Sequence, residues 1–116
     1  MSDINSSQEL ITALNNSAVD FKTVMQVIET EYEFSPTAFK NGDTFNEADT
    51  NNGSCKIFAF AKLNQLSQQQ TLNAFGDFYT RDVLQHPENN DHQNIRNFIL
   101  HGWEGIEFSG EALTRK

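Results

Sequence analysis

Apolar stripes at helical spacing alternate along this chain with short polar breaks. Leu10, Ile11 and Leu14 form the first, a narrow one, in a helix that Ser6 or Ser7 can cap and that runs to about Asn15. From Asp20 the stripe is fuller: Phe21, Val24, Met25, Ile28 and Tyr32 recur at i, i+3, i+4, i+7 and i+11. That spacing predicts an amphipathic helix capped by Asp20 and ended by Ser35-Pro36, because the residue before proline is excluded from helical geometry. Ile57, Phe58, Phe60, Ala61 and Leu63 are apolar nearly all round, so the helix predicted from Cys55 to about Leu66, capped by Ser54, is central and buried. Ser67 caps the next, where Leu72, Phe75, Gly76, Tyr79 and Val83 repeat the pattern until Pro87, with Gly76 allowing close contact or a kink. Asp91 caps the last, whose inner face is Ile95, Phe98 and Ile99 and which stops at Gly102.

Between these stripes the period changes. Asn41-Gly42, flanked by Phe39 and Phe45, favours a type I′ turn and a short hairpin. The polar, asparagine-rich stretch from Asn46 to Gly53 has no periodicity and reads as a loop. Ile106-Glu107-Phe108 alternates like a strand and can pair with the Phe39 or Phe45 flank of the hairpin. The expected fold class is α+β, mainly α: four to five helices in a compact single domain with a small antiparallel sheet or hairpin.

Length agrees with that picture. A chain of 116 residues has the size of one domain, 1–116, with residues 1–6 expected as a flexible amino end. Ten phenylalanines supply enough apolar surface to offset chain entropy. The formal charge of −8 repels phosphate backbones and anionic membrane surfaces, so neither nucleic acid nor membrane is an expected partner. No apolar run reaches the length of a membrane span, and the start Met1-Ser2-Asp3-Ile4 lacks the features of a secretory signal peptide. With one cysteine no internal disulfide can form, which fits a reducing, cytoplasmic setting. A polar amino end rich in Ser and Asn is also compatible with the unstructured signal of an injected effector.

Four strings read as a set: Phe34-Ser35-Pro36-Thr37-Ala38-Phe39-Lys40-Asn41-Gly42, Gly53-Ser54-Cys55-Lys56-Ile57-Phe58-Ala59-Phe60-Ala61, Pro87 with Asp91-His92-Gln93-Asn94-Ile95-Arg96-Asn97-Phe98, and Gly102-Trp103-Glu104-Gly105-Ile106-Glu107-Phe108. Together they resemble the HopJ type III effector family, across roughly Phe21 to Leu113. The resemblance implies a bacterial protein, resident in the cytoplasm or, for a true effector, delivered into a host cell. The family's name comes from plant-pathogenic bacteria, while similar proteins occur in free-living aquatic bacteria. No molecular activity comes with it.

Cys55 is the one local hint of chemistry. A thiol at a helix start beside Lys56 is placed where the macrodipole and a cation favour thiolate. With His92 as base and Asp91, Asn94 or an acid from the Asn46 to Asp49 loop as orienting group it would form the core of a cysteine-dependent enzyme, helix-start amides near Ser54 and Lys56 serving as oxyanion donors. The plainer reading makes Cys55 a small buried hydrophobe. His92 and Arg96, one turn apart, could hold a carboxylate or phosphate, although Asp91 as cap and Arg96 paired with Asp82 or Glu104 is the commoner arrangement. Loop residues Asn46 and Glu47, with Lys56, Asn94, Arg96 and Trp103, complete the candidate ligand-binding set. Trp103 is either an exposed anchor for a partner or a lid on the core edge. His92 with Glu47, Asp49 or Asp91 has no zinc or calcium spacing, so no metal and no cofactor is expected. The leading expectation is an acidic, non-enzymatic module that binds a protein partner, and the competing one is the Cys55 and His92 enzyme.

Overall fold

Phe58 lies at the centre of the chain's wrapping. In the computed structural model, which describes residue 4, residues 6–89 and residues 92–116, it is carried by helix α3, Asn52–Leu63. That helix buries Cys55, Ile57, Phe58, Ala59, Phe60 and Ala61, as its all-round apolarity requires. The Phe58 ring meets Phe39, Phe75, Phe98 and Trp103 at centroid distances of 5.9, 5.5, 5.0 and 6.5 Å. Edge-to-face and tilted contacts of this kind add to what area burial alone contributes.

The amino-terminal layer packs on one side of α3. Helix α1, Ser7–Leu14, starts where the Ser6 hydroxyl accepts the Glu9 N–H. Its Leu10 and Leu14 are fully buried. Helix α2, Phe21–Glu31, buries Val24, Val27 and Ile28, although Asp20 before it makes no side-chain cap bond. The Glu31 carboxylate reaches back to α1, accepting from the Ser7 hydroxyl at 2.6 Å and the Ser7 N–H at 2.9 Å. Those bonds, with Arg115 nearby, hold its pKa below the ordinary glutamate value. At the amino end expected to be flexible, Ile4 packs against the core and Ser6 is the α1 cap; residues 1–3 and 5 lie outside the described residues.

Tyr32 departs from its predicted helical role. It opens strand β1, Tyr32–Phe34, which pairs antiparallel with a strand near the carboxyl end, Leu113–Arg115, with Phe34 opposite Leu113. The hairpin and the strand predicted after it join as expected. Strands β2, Phe39–Asn41, β3, Thr44–Asn46, and β4, Ile106–Phe108, form a sheet in the order β3-β2-β4, with Phe39 opposite Phe108; the Leu113–Arg115 strand is β5. The turn itself differs from expectation. Asn41 is the last, buried residue of β2, and only Gly42, at φ +60°, has positive φ in the loop, the type II′ arrangement.

Ser67 and Gln70 form a complete capping box on α4, Gln68–Asn73. The long helix expected to follow is broken at Gly76, whose φ is +59°. A Cβ there would lie 2.7 Å from the Val19 carbonyl oxygen, so the chain crosses the turn before α2 too closely for a side chain. Beyond it, Phe78–Val83 winds as a π-helical segment, with the Leu84 N–H donating to the Tyr79 carbonyl. Helix α5, Gln93–His101, ends at Gly102, and a 3₁₀ turn, Gly102–Gly105, leads into β4. The expected cap at Asp91 lies outside the described residues; the residue before α5 is His92. Likewise α3 begins at Asn52, ahead of the expected cap, and Ser54 sits inside its first turn.

The Gly76 crossing is testable. Gly76→Ala is expected to destabilise the protein by at least about 1–2 kcal/mol, the cost of a left-handed residue before any clash. Gly110→Ala, where the added atom meets nothing nearer than 3.9 Å, is the control. Urea midpoints that are equal for the two variants would mean that the crossing imposes no glycine requirement.

Candidate functional site

Four asparagines hold three chain segments together beside α3. Alternation in the hairpin turns Asn41 inward from β2 and Asn46 inward from β3, both buried. Asn94 comes from the first turn of α5. Asn46 and Asn94 exchange hydrogen bonds, each Nδ2 donating to the other's Oδ1 at 3.0 Å. Asn41 Nδ2 donates to the Asn94 carbonyl oxygen at 2.7 Å and to its Oδ1 at 3.0 Å. Asn51, just before α3, adds an Nδ2 bond to Asn46 Oδ1 at 2.7 Å. Hairpin, α3 start and α5 start are thereby pinned by neutral amides. Asn46 and Asn94, expected to bind a ligand, instead satisfy each other.

Above this network lies an open cleft of about 320 Å³. Phe21, Phe75 and Phe78 make its apolar wall, and the first turns of α3 and α5 line the rest. Each of these helices is entered through a left-handed residue, Asn51 at φ 49° and His92 at φ 50°, and neither gives its helix a side-chain cap. First-turn N–H groups have no acceptor within a helix, so the cleft is bordered by two positive dipole ends.

His92 is turned toward the π-helical segment. Its Nε2 lies 3.2 Å from Asp82 Oδ2 and its ring 5.2 Å from that of Phe78. Arg96 donates to the carbonyls of Pro87 and Asp82 at 3.3 and 3.4 Å. The Asp82 carboxyl is held below its ordinary pKa by its bond to Arg81 and, less strongly, by His92. Both side chains of the expected anion grip are thus engaged in fastening α5 to the segment before it.

Cys55 is elsewhere. Its side chain is 1% exposed, and Sγ lies 3.5 Å from the Thr37 carbonyl oxygen. Burial pushes the thiol pKa up, against a smaller lowering by neighbouring Lys56. Lys56 itself pairs with Glu29 at 3.2 Å and lies over the Phe34 ring. No hydrogen bond joins Cys55 to His92, and Cys55 does not line the cleft. The structure therefore corrects the expected catalytic pairing: the cysteine is in the core, the histidine is engaged by Asp82, and Asp91 is outside the described residues. Glu47 stands on an exposed loop. Trp103 is half-buried against Phe58 and Phe98, its Nε1 donating to the Leu66 carbonyl at 3.1 Å, so it is a lid on the core edge. Among the described residues no group of three or more His, Cys, Asp or Glu is placed to hold a metal ion.

Sequence reasoning missed a second surface. Val83, Leu84 and Pro87 face Ile99 and Leu100 of α5 across a groove of about 470 Å³, with Leu84 52% and Leu100 77% exposed. Ile99, expected on the inner face of α5, belongs to this groove; Asn94 and Asn97 are buried in its place. A usable signal was present in the extra apolar residues beside each stripe, Leu84 after Val83 and Leu100 after Ile99.

The model of the HopJ type III effector protein matches residues 7–113, which include all four marker strings. The chain belongs to the HopJ type III effector family. It is similar to a solved crystal structure described as that of the unknown function protein VPA0580, at 58% identity over 94% of this chain and 92% of that one, with a TM-score of 0.91. Comparison with curated proteins gives no match. No described helix of this HopJ protein is long and apolar enough to cross a membrane.

The thiol and the asparagine network can each be tested. Iodoacetamide is expected to leave Cys55 of the folded protein unlabelled at pH 8.5 and to label it fully in denaturant; rapid native labelling would contradict its burial. Because its folded pKa is raised, the unfolded chain loses this proton first, so stability should fall as pH rises above about 8.5, and Cys55→Ala should flatten that fall. Asn94→Ala strands donors on Asn41 and Asn46 and is expected to cost about 1–3 kcal/mol in urea unfolding. The Asn46→Ala/Asn94→Ala pair should cost less than the sum of the singles, and strict additivity would show that the amides act independently.

Proposed function

We propose that this HopJ protein is an acidic, non-enzymatic binding module that takes a basic protein partner by an apolar segment in the groove between the π-helical segment and α5. The observation that carries the reading is the exposure of Leu84, Ile99 and Leu100 side by side on one face. Contiguous apolar surface of this kind marks interaction sites on otherwise polar proteins. The formal charge of −8 selects among occupants: two copies of this chain repel, whereas a basic partner is steered toward it. Neither nucleic acid nor an anionic membrane surface suits that field. The same surface serves a bacterial cytoplasmic partner or, for an effector delivered into a host, a host protein. The cysteine-dependent alternative has lost its support with the burial of Cys55.

The test compares capture from lysates of the producing cell and of a candidate host, followed by binding measurements with the purified captured protein. The Leu84→Glu/Leu100→Glu variant is set against Phe45→Glu, which alters an exposed apolar residue on the hairpin instead. The groove variant is expected to lose at least about tenfold in affinity, the equivalent of one buried leucine. The control should bind as wild type, and affinity should fall with salt. Unchanged binding by the groove variant, an acidic partner, or self-association through the groove in sedimentation would each overturn the proposal.

A further inference from the structure

The chain carries two Asn-Gly dipeptides, Asn41-Gly42 and Asn52-Gly53, and the fold treats them oppositely. Asparagine before glycine is the pair most prone to losing its side-chain amide, because no Cβ obstructs attack by the following backbone nitrogen. We infer that Asn52 is a site of spontaneous covalent modification, converting to aspartate and isoaspartate, while Asn41 is protected.

The protection is specific. Asn41 is 0% exposed, and its amide nitrogen, the leaving group, makes two hydrogen bonds to Asn94. The attacking nitrogen is occupied as well: the Gly42 N–H donates to the Gly105 carbonyl at 2.9 Å. Gly42 is also packed so closely against the His101 ring that a Cβ would overlap it. Reaction there requires the hairpin to leave the sheet and α5 together.

Asn52 is held by fewer restraints, although a Cβ on Gly53 would lie 2.7 Å from the Phe21 ring. It is the first residue of α3, half-buried, and its Nδ2 donates to Asp49 Oδ1 at 3.0 Å on an exposed loop. Its Oδ1 is buried without a hydrogen-bond partner, as is that of Asn41, so the two sites differ at the nitrogens. Gly53 lies in the first helical turn, where the N–H has no acceptor within the helix, and it lines the open cleft. The preceding Asn51 adds no side-chain cap, and although its amide and carbonyl are bonded to Asn46 and to the Cys55 N–H, fraying here opens a single helical turn and leaves the sheet in place. On fraying, the Gly53 N–H yields its proton to hydroxide and the nitrogen bonds to Asn52 Cγ. The Cγ–Nδ2 bond breaks, Nδ2 takes a proton back from water, and ammonia leaves. Water then opens the cyclic imide at one carbonyl to give aspartate or at the other to give isoaspartate, with no change of oxidation state. Aspartate places one more negative charge at the amino end of α3, where the macrodipole favours it. Isoaspartate lengthens the backbone by a carbon inside the first turn, next to the Asn51 bond that ties α3 to Asn46.

Peptide mass spectrometry of the intact protein held at 37 °C and mildly alkaline pH reads both sites at once. Conversion is expected at Asn52, with Asn41 at least about tenfold slower because it needs a larger opening of the structure. In denaturant the two sites should convert at similar rates. Asn52→Gln should remove the mass gain from the folded protein. Conversion of Asn41 as fast as Asn52 in the folded state, or an intact Asn52 over a period that fully converts the unfolded chain, would overturn the inference.

Discussion

Rings from four separately encoded segments close on Phe58, and each of these segments, or α3 itself, also has a part at or beside the candidate site. Phe39 brings β2, which ends in Asn41; Phe98 brings α5, which begins at the cleft; Phe75 is itself part of the cleft wall. Trp103 seals the opposite margin. Burial of one large ring thus sets the distances at which the asparagines meet. Aromatic packing of this density tolerates little displacement, so the amides are presented to each other already aligned.

Neutral groups do the fastening at depth, and charges stay at the surface. Burying an ionised side chain costs several kcal/mol unless its partners are well placed, whereas an amide needs only two or three neutral hydrogen bonds, and here, among the network's buried atoms, the Asn41 Oδ1 alone is left without one. An acidic chain gains in particular from this arrangement, because its interior lock is indifferent to the field of its own surface. Ion pairs such as Lys56 with Glu29 and Arg115 with Glu31 keep one partner of each well exposed, where water screens it, and contribute modestly.

Cys55 acquires its role from the same packing. A helix start and an adjacent lysine would favour thiolate in an open site, but desolvation dominates at a position covered by the chain near Thr37. The cation is drawn away to Glu29, leaving the thiol as a small core side chain. On the far side of α5 the balance is reversed: Leu84 and Leu100 lie outside the core and stay exposed.

Much of the fold was legible in the sequence. The stripes of α1 and α2, the all-round apolarity of α3, the capping of α4 by Ser67 and the alternation of β4 each report a property of neighbouring residues, and each element formed. Local periodicity carries that information because it records which face of a helix or strand is buried. It does not record what buries it. Tyr32 continues a perfect helical stripe, yet it becomes a strand because Arg115, some eighty residues later, supplies its pairing partner. Gly76 fits a helix, yet the close passage of Val19 requires a break. Asn46 and Asn94 look like surface residues until the hairpin and α5 meet, and burial decides between the two readings of Cys55 in favour of the plainer one, a small core side chain. What the sequence by itself determined was the set of elements and their buried faces; the lock between amides, the fate of the thiol and the uncovered groove were decided by tertiary contacts, since desolvation depends on which distant segments come together.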